Sequence, residues 1–250
     1  VKVGCSSEGD LEAWISESWG SGGLVRGGNP PLPYVVEVPN RRKVHTAVPT
    51  NTGAARAWRA PNHPQACLIT MSALDDLAAK IVMDPVQFFN KNIHLTGRLA
   101  GIYKQELSIA SKMMDWEANW RPRTKSQDGP VKRGLGVAFH TWGGRAHQSN
   151  CEVIVYPDGL VEARLGSQDL GTGTRTIIAI VLAETFGLEI SQVKVRLGDS
   201  QFPQSGASGG STTVGGVSSS TRRAAQAALE KLFEVVSGEL GVESVDQLEA

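Results

Sequence analysis

The sequence predicts an α+β fold assembled from strand–glycine loop–helix units with mixed sheets. Three observations carry that prediction. First, Val161, Ala163 and Leu165 alternate with charged residues, the period of a half-buried strand. Second, the period changes at Gly171-Thr172-Gly173: Ile177, Ile178, Val181, Leu182, Ala183 and Phe186 then recur at helical spacing as far as Gly187. Third, the succession repeats downstream. Val193, Val195 and Leu197 alternate, Ser205–Thr213 is a run of glycines and hydroxyls, and a helix is predicted over 214–236. A strand that passes through a glycine turn into a helix gathers free backbone N–H groups at the positive end of the helix dipole, and threonine hydroxyls add donors. Such a turn suits a phosphate or other anion, and it suits an ordinary N-cap equally well.

The elements in order are as follows. Leu11–Trp19 fits a short helix or a partner-facing segment, and Gly20–Gly23 and Arg26–Pro31 are loops. Tyr34–Val38 reads as a strand stopped by Pro39-Asn40, and Lys43–Val48 as another. Gln65–Val82 is a helix with Ala66, Ile69, Leu74, Leu77, Ala78 and Ile81 on its buried face. Asp84 caps a second, short helix with Pro85 at its first position. A longer one is predicted over Tyr103–Trp116, its Met113-Met114 pair reading as core. Arg121–Lys132 is polar and loop-like, Leu135–His140 an apolar strand, and Cys151–Tyr156 and Leu160–Leu165 a hairpin turning at Pro157-Asp-Gly159. Residues after Gly238 read as the start of a further element.

One more loop stands out. Asn51–Pro64 carries Arg56 and Arg59 among small residues, with Trp58 between them, and Pro61 and Pro64 keep it out of a helix. It reads either as a surface turn with solvated arginines or as a donor-rich loop. In the second case the Arg59 and Ala60 amides face a ligand while the Arg59 guanidinium braces the loop through carboxylate or carbonyl partners.

Composition excludes several classes. With 250 residues the chain holds one large domain or two small ones. Its 25 basic and 25 acidic residues cancel, which argues against a nucleic-acid binder held by bulk charge. No apolar run approaches the roughly 20 residues of a membrane helix. Cys5, Cys67 and Cys151 form no CxxC pair, so neither a zinc site nor an iron–sulfur cluster is expected within the chain. GxxxxGK[ST], GxGxxG and HExxH are all absent, and His63, His140 and His147 read as loop or packing residues. Val1-Lys-Val-Gly reads as the interior of a longer polypeptide.

Arg59-Ala-Pro-Asn-His-Pro-Gln65, Gln168-Asp-Leu-Gly-Thr-Gly-Thr-Arg-Thr176, Gly198-Asp-Ser200 and Ser208-Gly-Gly-Ser-Thr212, with Ser72–Ala78 and Pro157-Asp-Gly159 in matching order, resemble the molybdenum-binding subunit of the xanthine dehydrogenase/aldehyde oxidase family, and its stand-alone bacterial members more than the fused animal enzymes. The resemblance runs from about Tyr34 to Phe233. It implies the molybdopterin-binding fold of that family, with residues 1–125 part of a first subdomain and 126–250 part of a second. The implied cofactor is molybdopterin, as its cytosine dinucleotide in bacteria, bound by Trp58, Arg59, Ala60, Gly171, Thr172, Gly173, Thr174, Gly209, Gly210, Ser211, Thr212 and Thr213. The metal is held by the cofactor's dithiolene, so no protein residue is expected as its ligand. The implied activity is oxidation of an aldehyde or N-heterocycle with water as oxygen source, electrons leaving through iron–sulfur clusters and FAD on partner subunits. The alternative is a non-catalytic cofactor-binding or assembly fragment. The compartment stays open between bacterial cytoplasm and periplasm. Two departures matter: Thr172 stands where the family often has Gln, and the family's Phe-Gly-Gly segment and its Gly-Glu catalytic base are missing. Glu230, Glu234, Glu239, Glu243 and Glu249 are helix-face acids, and none is assigned that role.

Overall fold

A long strand, β2 (Leu11–Gly22), organises the first half of the chain. In the computed structural model, residues 1–125 and 129–242 are described, and the chain falls into two compact units, Val1–Trp142 and Gly143–Ala250. The family resemblance implies a division at 125/126. In the first unit β2 pairs antiparallel with β1 (Lys2–Cys5) and, at its far end, with β3 (Val25–Arg26), and parallel with β4 (Asn40–Ala47). Leu11–Trp19 is therefore strand and not helix. Its buried face carries Trp14 and then Ser16, while Ile15 and Trp19 lie exposed, so the hydrophobic alternation that marks a strand is silent here.

Two predicted strands do not form ladders. Tyr34, Val36 and Val38 are buried as alternation requires, but Val35 adopts φ 71°. The segment's amides go elsewhere: Tyr34 N–H donates to Thr70 Oγ1 at 2.9 Å and Glu37 N–H to the Leu95 carbonyl at 2.7 Å. Residues 135–140 are likewise unpaired, with Phe139 alone among them buried, in the aromatic core beside Phe89 and Tyr103. Alternation reported burial correctly in both places and pairing incorrectly, because a ladder needs a neighbouring strand that the local sequence does not reveal.

Helix α1 (His63–Lys80) buries Ala66, Thr70, Met71, Leu74 and Ala78. Pro64 does not exclude it but sits in its first turn, where no intrahelical N–H is needed. Asp84 caps α2 (Pro85–Lys91) as expected: its Oδ1 accepts from Val86 N at 2.7 Å, and its Oδ2 accepts the Trp116 indole N–H at 2.8 Å. A 3₁₀ stretch, Ile93–Leu99, leads into α3 (Ala100–Met113), and a short α4 (Trp116–Asn119) follows. Met113 and Met114 are 81% and 52% exposed, so the pair is surface and not core. Met113 lies about 120° round from Leu107, off the Tyr103–Leu107 face that α3 buries, and Met114 is the C-cap, past the helix's last residue.

The second unit is a three-stranded mixed sheet packed against two helices. β5 (Glu152–Val155) pairs antiparallel with β6 (Val161–Leu165), which pairs parallel with β7 (Val193–Leu197). α5 (Thr174–Phe186) makes the β6–β7 crossover, and α6 (Thr213–Leu240) packs on α5 and β5. Val161, Ala163 and Leu165 are joined in one core to Ile178, Leu182, Phe186 and Val217. Each fully buried branched side chain there stabilises by roughly 1.5–3 kcal/mol. Position and extent of α5 agree with the sequence prediction. α6 runs past 236 to Leu240, so where a further element is expected after Gly238 the same helix continues; residues 243–250, and residues 126–128 of the polar loop, lie outside the described residues.

β6 is not half-buried, because Glu162 on its other face is also enclosed, at 1% exposure. It accepts from Arg164 Nε at 2.6 Å and pairs with Lys194 Nζ at 3.4 Å. Burial pushes its carboxyl up, but the two cations outweigh burial and hold it below the ordinary glutamate value of 4.5. The ion cluster is thus stabilising above that value, and its contribution disappears as pH falls through the lower native value. Glu162→Ala should cost about 2 kcal/mol in urea denaturation, since one buried acceptor is lost while the two cations rehydrate. A loss under about 0.5 kcal/mol, the range of an ordinary surface substitution, would contradict this account of the sheet's outer face.

Candidate functional site

The two glycine loops both belong to the second unit, and their chemistry differs. In the first loop, β6 ends at Leu165, Gly166 N–H donates to the Pro203 carbonyl at 2.8 Å, and the chain turns at Gly171 and Gly173 with φ of 85° and 78°. A Cβ at either glycine would meet nothing within 4 Å, so the left-handed backbone, not crowding, demands glycine. Asp169 fills the turn. Its Oδ1 accepts from Gly171 N–H at 3.0 Å and Thr172 N–H at 3.1 Å, and its Oδ2 from Arg175 N–H at 3.0 Å. These bonds, the one from Arg175 first, hold the Asp169 carboxyl below its usual 3.8. The expectation of free amides at this turn is therefore corrected: an internal carboxylate already occupies the positive end of α5. Thr172 Oγ1 lies 3.4 Å from the hydroxyl of Thr174, which is fully buried. Of Gly171–Thr174, Gly171 and Thr172 are exposed and Gly173 is half-buried.

In the second loop, Ser205–Thr213, Gly209, Gly210 and Ser211 are exposed, Thr213 is buried, and the backbone is firmly tied from behind. Gly210 and Ser211 are consecutive left-handed residues, at φ 63° and 57°. A non-glycine residue at such a φ is costly and clusters at functional sites. Thr212, the N-cap of α6, donates its hydroxyl to the Gly209 carbonyl at 2.7 Å and makes no cap bond, so the first-turn amides of α6 keep no side-chain cap. From behind, residues 145–150 run along the loop. Arg145 N–H reaches Ser211 O at 3.2 Å, His147 N–H reaches Thr212 O at 3.2 Å, Gly206 N–H reaches Gln148 O at 2.9 Å, and Ser149 bridges Ser205. The His147 ring is wedged between Gly206 and Gly216, where a Cβ on either glycine would collide with it. It is a packing histidine, as the sequence implied. A free linker is excluded by these ties.

The loops meet at Gln168 and Ser208. Gln168 Oε1 accepts Ser208 N–H at 3.0 Å, and the Gln168 carbonyl accepts Ser208 Oγ–H at 3.2 Å. Thus Gly171–Thr174 and Gly209–Thr213 are brought together in one unit. Sequence reasoning quoted Gln168, Asp169 and Ser208 within its motifs but gave them no role. An Asp two residues before a glycine is an Asx-turn signal that could have found Asp169, whereas nothing local marks residues 145–150 as the loop's backing.

In the first unit, Trp58 is 87% exposed and Arg59 is exposed. Ala60 and Asn62 are left-handed, at φ 53° and 69°, on either side of Pro61. Among the described residues the Arg59 guanidinium makes no hydrogen bond or ion pair, so it does not brace the loop. Bracing comes from the backbone, with His63 N–H donating to Ala60 O at 3.1 Å, and from His63 itself, whose Nδ1 lies 2.8 Å from the Tyr34 hydroxyl.

No group of three or more His, Cys, Asp or Glu suited to a metal ion occurs among the described residues. The three cysteines are free thiols. Burial pushes Cys151 up to about 11 and raises Cys5 and Cys67, which keeps them protonated and poor metal ligands near neutral pH. Among the described residues no helix is long and apolar enough to cross a membrane.

Two family profiles, each described as a molybdopterin cofactor-binding domain, match residues 1–93 and 109–249. The chain belongs to the molybdopterin cofactor-binding family. The aldehyde oxidoreductase molybdenum-binding subunit PaoC of Escherichia coli O157:H7 is 29% identical over 261 residues, which cover 96% of this molybdopterin-binding chain and 34% of that protein. The xanthine dehydrogenase molybdenum-binding subunit of the same organism is 30% identical over 161 residues, 58% of this chain and 21% of that one. In fold, the chain is similar to quinoline 2-oxidoreductase from Pseudomonas putida 86, with a TM-score of 0.71 at 18% identity over 98% of this chain and 35% of that one. The chain thus spans about a third of the length of these relatives. The family, the α+β fold and the mixed sheets agree with the sequence prediction.

Asp169→Ala should raise amide hydrogen exchange at Gly171, Thr172 and Arg175 about tenfold or more, and Asp169→Asn, which keeps an oxygen acceptor, by less. In the wild-type protein the protection should hold above pH 3.8 and fall as pH drops through the lower native value. Equal exchange in Asp169→Ala and wild type would show that the carboxylate does not hold this molybdopterin-family loop.

Proposed function

We propose that the two glycine loops of the second unit hold the pterin and phosphate parts of molybdopterin, as its cytosine dinucleotide, within a molybdenum hydroxylase. The whole enzyme oxidises an aldehyde or N-heterocycle with water as oxygen source and passes electrons to partner subunits carrying iron–sulfur clusters and FAD. The observation that carries this reading is the neutral donor surface at Gly209–Thr213, uncapped at the α6 N-terminus and joined to Gly171–Thr174. Its chemistry fits the cofactor. Amides and hydroxyls complement a phosphate and a pterin edge without a lysine, the protonated cysteines offer no competing thiolate, and the space beside Gly209 where a Cβ would stand is open. When bound, the cofactor supplies a molybdenum centre that takes up the electron pair leaving the substrate.

The chain's own residues bind and orient. Thr172 and Gly173 offer a hydroxyl and a close backbone approach, and they do so beside the Asp169 carboxylate, which repels a phosphate. The first loop is therefore read as meeting the uncharged pterin, and the uncapped α6 N-terminus as the place for phosphate oxygens. In the first unit, the strained Arg59-Ala60 peptide and the unpaired guanidinium are read as cofactor- or substrate-facing donors.

Gly210→Leu in the whole protein adds bulk at the donor surface and forces a side chain into a left-handed φ. It should lower molybdenum and pterin content together by about tenfold, a change of about 1.4 kcal/mol in binding. Undiminished content of both would contradict the assignment of this loop. Arg59→Ala should retain cofactor and slow oxidation of an aldehyde by about tenfold or more, with Arg59→Lys rescuing in part because an ammonium lacks the planar fork. Wild-type turnover in both variants would remove Arg59 from the site.

A further inference from the structure

Residues 168 and 169 act in opposite directions. Asp169 points inward and closes the first loop on that loop's own amides, so the loop has a defined shape without any ligand. Gln168 points outward. Its side-chain Oε1 accepts the Ser208 N–H, its main-chain carbonyl accepts the Ser208 hydroxyl, and its Nε2 donates back to the Gly166 carbonyl at 3.2 Å. Ser208 immediately precedes the open donor run. The other ties on that run, Arg145 N–H to the Ser211 carbonyl and His147 N–H to the Thr212 carbonyl, lead to residues 145–150 and not to the first loop.

We propose that Gln168 is a positioning residue: it transmits the self-closed geometry of the first loop to Ser208 and so sets the Gly209–Thr213 donors in place before a ligand arrives. The inference rests on the reading of the loops as a molybdopterin site. A glycine-rich run loses much conformational freedom when it is ordered, so donors ordered beforehand bind more tightly than donors ordered by the ligand. Gln168 is exposed and lies outside both hydrophobic cores, so its substitution leaves the fold standing. Gln168→Leu removes the side-chain acceptor for Ser208 N–H, while Gln168→Glu keeps one.

The test uses the whole protein, purified in cofactor-free and cofactor-loaded forms. In the cofactor-free form, Gln168→Leu should speed amide exchange at Ser208 and across 209–213 about tenfold, leave Gly171, Thr172 and Arg175 unchanged, and be largely rescued in Gln168→Glu. In the loaded form, Gln168→Leu should lower pterin and molybdenum content about tenfold. Unchanged exchange at 208–213 in Gln168→Leu overturns the proposal. Faster exchange with wild-type pterin content overturns it too, since the bond would then be structural only. A wild-type protein that carries no pterin overturns the cofactor reading and the positioning role with it. Pterin present at equal levels in wild type and Gln168→Leu overturns the positioning role alone.

Discussion

The second unit is built around one carboxylate. Asp169 accepts three backbone N–H groups at the start of α5 and thereby fixes a turn whose two glycines sit in left-handed conformations. Without an acceptor there, those amides would be orphaned at a helix N-terminus. A bound anion satisfies the same need in many proteins. Here the chain supplies the anion itself, which gives the turn a fixed shape and makes the neighbourhood unfavourable for a second negative charge. The donor surface that remains for a charged group is the other loop, at the N-terminus of α6, where Thr212 turns its hydroxyl away from the capping position.

That second surface is held from two sides, by Gln168 at Ser208 and by bonds along its back. The strip 145–150 supplies amides and a serine to the loop from behind, and His147 fills the space that Gly206 and Gly216 leave by having no side chains. These two glycines are needed for close approach, unlike Gly171 and Gly173, which are needed for their backbone angle. Two glycine-rich loops in one chain therefore use the residue for different physical reasons. On the reading proposed above, a backbone fixed from behind presents its front to a large, polar, phosphate-bearing cofactor.

Much of this was legible in the residues. The β6–α5–β7 succession, the hairpin at Pro157-Asp-Gly159, the Asp84 cap and the order of the family motifs all follow from local pattern, because each depends on neighbours a few residues apart. What was not legible depends on distant partners. The strand at Leu11–Trp19 hid because serine lines its buried side. Tyr34–Val38 and residues 135–140 show that a segment can be apolar and buried without a strand beside it. Met113 lies off the buried stripe of α3, a matter of helix phase, and Met114 lies just past the helix end. Within the site the loops themselves were found, but their coupling through Gln168 and Ser208 was not, since those residues are 40 apart and neither has a signature of its own. The Arg59 loop was found for its donors, and its strain at Ala60 and Asn62 became visible only with the backbone angles.

The central claim is that Gly171–Thr174 and Gly209–Thr213 form one cofactor-facing surface. The most direct test is a crystal structure of the whole protein with anomalous diffraction at the molybdenum edge, which locates the metal and, with the electron density, the pterin and its phosphates. The account predicts phosphate oxygens within hydrogen-bonding distance of amides or hydroxyls in 209–213 and the uncharged part of the cofactor against 171–174. Cofactor density that touches neither loop, or phosphate placed against Asp169, would contradict it.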